Sequence, residues 1–190
     1  MRNMVGPAPG DAQSVAVALV NTRYDDARGP IDELEDLDPA RRWLTERTGA
    51  PSDLELGAVD VERMHELRAG IRELLSALIE VRAPDDNALD VIAAATAAAP
   101  GSSRLTLHRN VLAREWIAIA GDPLERALAL IATDAIALTG DERRDDLAEC
   151  AAPDCSRLLL RDHNRRRWCS TRCGDRIRAA RYRARHAAGP

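Results

Sequence analysis

All four cysteines of this 190-residue chain, Cys150, Cys155, Cys169 and Cys173, fall in its last quarter. Two close pairs of thiols, thirteen residues apart, suit one chemistry above others: a zinc ion held by four thiolates. Each pair spans adjacent corners of a tetrahedron, and the segment between them turns back to bring the pairs together. Two disulfides, a redox switch or four unpaired thiols are the competing readings. A cytoplasmic chain with no other cysteine argues against structural disulfides. Four protein ligands leave no position open for water, so one structural ion is expected rather than a catalytic one. His163, between the pairs, is the local substitute ligand, and it reads as an exposed turn residue.

The second chemistry is cationic. From Cys150 onward there are eleven arginines against Asp154, Asp162 and Asp175, a net charge of +8, whereas the first 149 residues carry −12. An acidic body with a basic tail points to a polyanionic partner for the tail. All 27 basic residues are arginine, whose planar fork binds phosphates and guanine edges bidentately. The candidates for contact with double-stranded DNA are Arg165, Arg166, Arg167, Arg172, Arg176, Arg178, Arg181, Tyr182 and Arg185. On a helix starting at Ser170, Ile177, Ala180 and Ala184 form a narrow apolar face, while Arg178, Arg181 and Arg185 group opposite it with Tyr182. Such a helix is long enough to lie in a major groove. A basic tail that merely aids solubility is the plain alternative, as is a finger that docks a protein or an RNA. The interleaved aromatics of base-stacking RNA binders are missing.

Those side chains need elements to position them. Around the cysteines, LLLRD and RRRWC read as two short strands joined at His163-Asn164, and Ser170 as the N-cap of a helix carrying Cys173. About 40 residues cannot bury enough apolar surface to hold themselves. Zinc binding of roughly 10–16 kcal/mol can supply what that small core lacks.

The preceding sequence is aliphatic, alanine-rich and free of phenylalanine, which favours helices. SVAVALVNT reads as a first buried helix, with a strand as the alternative. Residues 25–38 read as an acidic loop. DPARRWLTERTG reads as a helix capped by Asp38, with Pro39 first and Gly49 as the stop. From Ala58 to Val81, Met64, Leu67, Ile71, Leu74, Leu78 and Val81 recur three and four apart, and Leu75 and Ile79 widen that stripe. The width predicts a core helix rather than a dimer zipper. LDVIAAATAAA is a further helix, RLTLHRN and REWIAIAG a hairpin, and PLERALALIATDAIAL a helix opened by Asp122-Pro123. The expected architecture is a mainly α unit with a small β-hairpin (1–147), followed by a four-cysteine finger with a short hairpin and a basic helix (148–190).

No nucleophile–base set, glycine-rich phosphate loop or catalytic metal motif is present, so an enzyme is not expected. His65 and His108 read as structural. Asn21, Thr22, Arg23 and Tyr24, with Trp43 and Trp116, are the candidates for a small effector pocket. Nothing resembles a targeting or membrane segment, and a cytoplasmic, nucleoid-associated protein is expected.

From Cys150 to Arg185, with Arg-Arg-Trp-Cys-Ser at 166–170 and Cys-Gly-Asp-Arg at 173–176, the chain closely resembles the CGNR zinc finger. That family's second pair typically reads Cys-x3-Cys-Gly-Asn-Arg, so Asp175 stands where the family has asparagine. Upstream, Leu19, Val20, Asn21 and Thr22, with the acidic stretch and the RRWL helix, resemble the start of the ABATE domain that normally precedes this finger. The resemblance implies a bacterial, actinobacterial-type transcription regulator. Its finger would bind DNA, and its N-terminal domain would sense an effector or mediate assembly. A lone finger reads few base pairs, so a homodimer is expected.

Overall fold

The computed structural model describes residues 6–140, 142–162 and 165–187. Helix α1 (Val15–Val20) lies at the centre, with Ala16 to Val20 all buried. A helix that is apolar on every side carries no amphipathic period, which is why its alternating valines also fit a strand. The Ser14 hydroxyl caps α1 by accepting from the Val17 N–H, and it donates to Asp134 at 2.5 Å. The Asp134 carboxylate also accepts the Ala16 N–H, so a residue of a distant helix helps to cap this one.

The acidic stretch is not a loop. Strands β1 (Arg23–Asp26) and β2 (Gly29–Asp32) form an antiparallel hairpin with Tyr24 opposite Ile31. The hairpin escapes local reading because a remote residue anchors it. Both Nη atoms of buried Arg68 donate to Asp32, at 2.7 and 2.5 Å, and Arg68 also donates to the Thr22 hydroxyl. Burial alone would raise the Asp32 pKa, but Arg68 and the Leu34 N–H outweigh it and hold the carboxyl below its ordinary value.

Helix α2 (Leu37–Thr48) starts two residues earlier than expected, with Asp36 as its N-cap, and Gly49 ends it at φ +72°. Asp38 instead pairs with Arg41 inside the helix. The first turn leaves its N–H groups unbonded within the helix, so Pro39 is tolerated anywhere in it and does not mark the first position. Helix α3 (Ala58–Glu80) buries Met64, Leu67, Ile71, Leu74 and Leu75 against α1 and its neighbours, as a core helix. Val81, expected on the stripe, caps α3 at φ 55° and is exposed.

Helix α4 (Asp86–Ala98) packs on α3, with Gly70 leaving room for the backbone of Ala88. A hairpin follows, β3 (Gly101–His108) with β4 (Val111–Ala118), turning at Arg109 and Asn110, both at positive φ. Helix α5 (Pro123–Thr139) opens on a reciprocal cap. The Glu125 N–H donates to the Asp122 carboxylate, and the Asp122 N–H to that of Glu125. A 3-10 turn over Glu142–Asp146 leads into β5 (Leu147–Glu149), which pairs antiparallel with β6 (Leu158–Leu160). Helix α6 (Thr171–Ala187) is the last element. Among the described residues no helix is long and apolar enough to cross a membrane.

Candidate metal centre and basic helix

The finger hairpin is not the expected one. β6 pairs with β5, before the first cysteine pair, and Arg165–Cys169 is not a strand. The strands flank the first pair: Cys150 leaves β5, Cys155 precedes β6, and the Cys150 N–H donates to the Arg157 carbonyl at 2.9 Å. The second pair joins this knuckle through the Ala151 N–H, which donates to the Arg167 carbonyl, and through the Cys169 N–H, 3.4 Å from the Cys150 sulfur. His163 and Asn164, the expected turn, lie outside the described residues. Ser170 caps α6 as expected, accepting from the Cys173 N–H at 3.3 Å.

This scaffold brings all four sulfurs within 4.8 Å of one another, and every cysteine is at most 9 % exposed. Cys169 Sγ lies 3.7 Å from Cys155 Sγ and 3.8 Å from Cys173 Sγ. A tetrahedron with metal–sulfur bonds of about 2.3 Å has edges of about 3.8 Å, so the spacing is that of a zinc tetrathiolate. A disulfide would need about 2.05 Å, and all four cysteines are free. Hydrogen bonds from Cys155 and Cys169 push the Cys150 pKa down, whereas hydrogen bonds with Cys150 and Cys169, with burial, push Cys155 up. One thiolate is stabilised by its neighbours' protons, a role that a divalent ion performs for all four.

Arg176 completes the fit. Its Nε and Nη2 are buried with no hydrogen-bond partner among the described residues. It lines a cavity of only about 10 Å³ together with Cys155, Cys169, Cys173, Tyr24, Asp26, Arg157 and Arg172. An orphaned guanidinium beside four thiols is costly alone but fits a metal tetrathiolate, whose net charge is negative. Cys150, Cys155, Cys169 and Cys173 thus hold one structural zinc ion, which supplies the cross-link and no open coordination position.

The finger is built into the body. Leu158 and Leu160 belong to the main core with Leu147, while Leu159 between them faces the cysteine cluster with Trp168 and Ile177. The strand alternation therefore serves two cores at once. Asn21 holds both backbone groups of Leu158: its Nδ2 donates to the carbonyl at 2.9 Å, and the Leu158 N–H donates to Oδ1 at 2.8 Å. Arg72 donates to the carbonyls of Ser156, Val20 and Arg23, and Arg157 pairs with Asp11 while stacking 4.9 Å over Tyr24.

The nine candidate DNA contacts divide sharply. Arg166 is held bidentately by Asp162, Arg172 lies 3.9 Å from Asp26, and Arg176 is turned inward. Arg178 is exposed yet paired with Asp175. Arg165, Arg167, Arg181 and Arg185 are exposed, and so is Tyr182, whose ring lies 4.2 Å from that of His186. Every residue from Arg178 to His186, nine in all, is exposed.

The six effector candidates do not converge on one cavity. Asn21 and Thr22 are buried with their side chains bonded, Asn21 to Leu158 and Asp11 and Thr22 to Leu19 and Arg68. Arg23 is exposed, Tyr24 sits against Arg157, and Trp43 packs at the edge of the main core. Trp116 lines a separate cavity of about 390 Å³ with Thr48, Pro51 and Arg126. His65 is structural, its Nε2 lying 3.0 Å from the Leu34 carbonyl. Sequence reasoning missed the finger–body joint, Arg72, Arg157 and Asp11, for which no local signal exists. It also missed the Asp175–Arg178 pair, which the i, i+3 spacing could have signalled.

A family profile for ABATE, described as a putative stress-induced transcription regulator, matches residues 13–142. That for the CGNR zinc finger matches residues 147–186. No curated protein matches the chain. Both profiles describe regulatory or zinc-finger units rather than enzymes. With two thirds of its length covered by the first profile and its cysteines by the second, the chain belongs to the ABATE family and carries a CGNR zinc finger.

Proposed function

We propose that the protein is a transcription regulator that binds double-stranded DNA through α6 and the Arg165–Arg167 run, with the zinc ion holding the root of that helix. The observation that carries this reading is the course of α6. It is rooted among the cysteines through Cys173 and Ile177, then runs for nine exposed residues that include Arg178, Arg181, Arg183 and Arg185. Its 17 residues span about 25 Å, a length that fits a major groove. The acidic body repels phosphates and confines contact to the finger. In this reading the N-terminal unit senses an effector or mediates dimerisation. The cavity beside Trp116 has the size of a small-ligand site. The protein would act in the cytoplasm, on the nucleoid.

Fluorescence anisotropy with a labelled duplex tests the proposal. Zinc-loaded protein binds, with log K falling against log salt at a slope of about −4 to −7 for five to eight phosphate contacts. Chelation abolishes the signal. Equal binding by the metal-free protein overturns the scheme, and preferential competition by structured RNA over duplex would assign the finger to RNA.

A further inference from the structure

Among the four arginines in the exposed outer part of α6, residues 178–186, Arg178 is the one held in place by other described residues. Its Nη2 donates to Asp175 Oδ1 at 2.6 Å, and its guanidinium carbon lies 5.7 Å from the centroid of the Trp168 ring. Gly174 makes the room: a Cβ there would come within 3.2 Å of both Arg178 Nη1 and Trp168 Cε3. Carboxylate, ring and notch thus fix the fork, yet the side chain stays 59 % exposed. Only one of its five N–H donors is used by a described residue. Arg181, Arg183 and Arg185 are exposed without ion-pair partners among the described residues.

We propose that Arg178 reads a guanine in the major groove and that Asp175 is the positioning residue that aims it. The inference rests on the DNA reading above and deepens it. A phosphate can be met by an arginine in many orientations, whereas the O6 and N7 acceptors of guanine require a fork held in one plane. Pre-ordering that fork lowers the entropy lost when it docks. Asp175 itself is 71 % exposed beside the arginine stripe. A carboxylate there repels phosphate, so this end of α6 faces base edges, where a carboxylate can accept from cytosine N4. Arg181 and Arg185, further along the stripe, meet the backbone. The aspartate that departs from the family pattern therefore acquires a role: it shares one end with Arg178 and selects what that residue can address.

The test uses full-length, zinc-loaded protein. Duplexes selected from a randomised pool define a site, and affinities are then measured on that site and on versions with each guanine replaced by adenine. Arg178→Ala should lose about tenfold or more of the discrimination at one guanine. Arg178→Lys, which keeps the charge but not the fork, should lose it equally. Arg181→Ala should weaken binding to all duplexes alike. Asp175→Ala separates positioning from net charge. Removing an acid raises affinity everywhere on electrostatic grounds, whereas loss of aim lowers discrimination at the Arg178 guanine by about threefold or more. If Arg178→Ala and Arg178→Lys keep the preference, or Asp175→Ala leaves it intact, this inference falls while DNA binding stands. If the native protein binds duplex but enriches no sequence, this inference falls while DNA binding stands; if it binds no duplex at all, both readings fall together.

Discussion

Strand β6 and the outer part of α6 belong to one metal-bound unit, yet their surroundings are opposite. The three leucines of β6 are at most 7 % exposed, divided between the main core and the cysteine cluster. The nine residues from Arg178 to His186 are all exposed, four of them arginine. The contrast shows what a structural ion does in a small finger. It connects a strand that the body already holds to a helix whose outer nine residues are all exposed, and so transmits the rigidity of an aliphatic core to a row of cations.

The largest way to break this comparison is to remove the connection. Cys169→Ser should release α6 while leaving the body folded, because Asn21, Arg72 and the Leu158 and Leu160 side chains hold β6 without metal. Zinc binding of roughly 10–16 kcal/mol is the scale of what is lost. Hydrogen exchange reads the outcome: α6 loses protection, and α3 and α5 keep theirs. Simultaneous loss in all three would mean that the two regions are not separable.

A smaller effect contrasts the two sides directly. Leu158→Ala opens a cavity in the shared core and should destabilise the whole chain by about 2–5 kcal/mol. Arg183→Ala, in the outer helix, should stay within about 0.5 kcal/mol. Thermal denaturation of the two variants measures the difference, and comparable losses would erase the distinction.

The smallest effect concerns the joint. Burial raises the Glu33 pKa above its ordinary 4.5, against the opposing attraction of Arg157. The folded protein therefore favours protonated Glu33. That contribution is fully present below pH 4.5 and is lost as pH rises through the raised value. Glu33→Gln should be slightly stabilising at pH 7, and its advantage should vanish in acid. A melting-temperature difference that grows on acidification contradicts this account.

Much of the body was legible. The stripe of α3, the Asp122-Pro123 start of α5 and the Gly49 stop are local signals, because helix period and capping depend on near neighbours. Three features were not. The β1–β2 hairpin depends on Arg68, 36 residues from Asp32. The partner strand of the finger hairpin is not legible locally, because LLL pairs as well, in propensity, with residues before it as with those after it; the core beneath Leu147 decides. The joint that Asn21 makes, its amide bonding the Leu158 backbone from 137 residues away, has no local signal.

By itself the sequence determined the chemistry: four thiolates at zinc-ligand spacing, a basic segment on an acidic body, and the helices that carry them. Ligand types and short spacings are local properties, and thiols so arranged have few other uses. Local spacing can suggest the Asp162–Arg166 and Asp175–Arg178 pairs, but tertiary structure decided where Arg172 and Arg176 go and which arginines remain available. Arg166, Arg172, Arg176 and Arg178 look alike in sequence, yet one is clamped by Asp162, one lies beside Asp26, one faces the thiols and one is aimed outward by Asp175 and Trp168. A guanidinium carries the same charge in every setting. Its freedom to meet a partner depends on which carboxylates, rings and sulfurs the fold brings to it, and several of those come from distant parts of the chain.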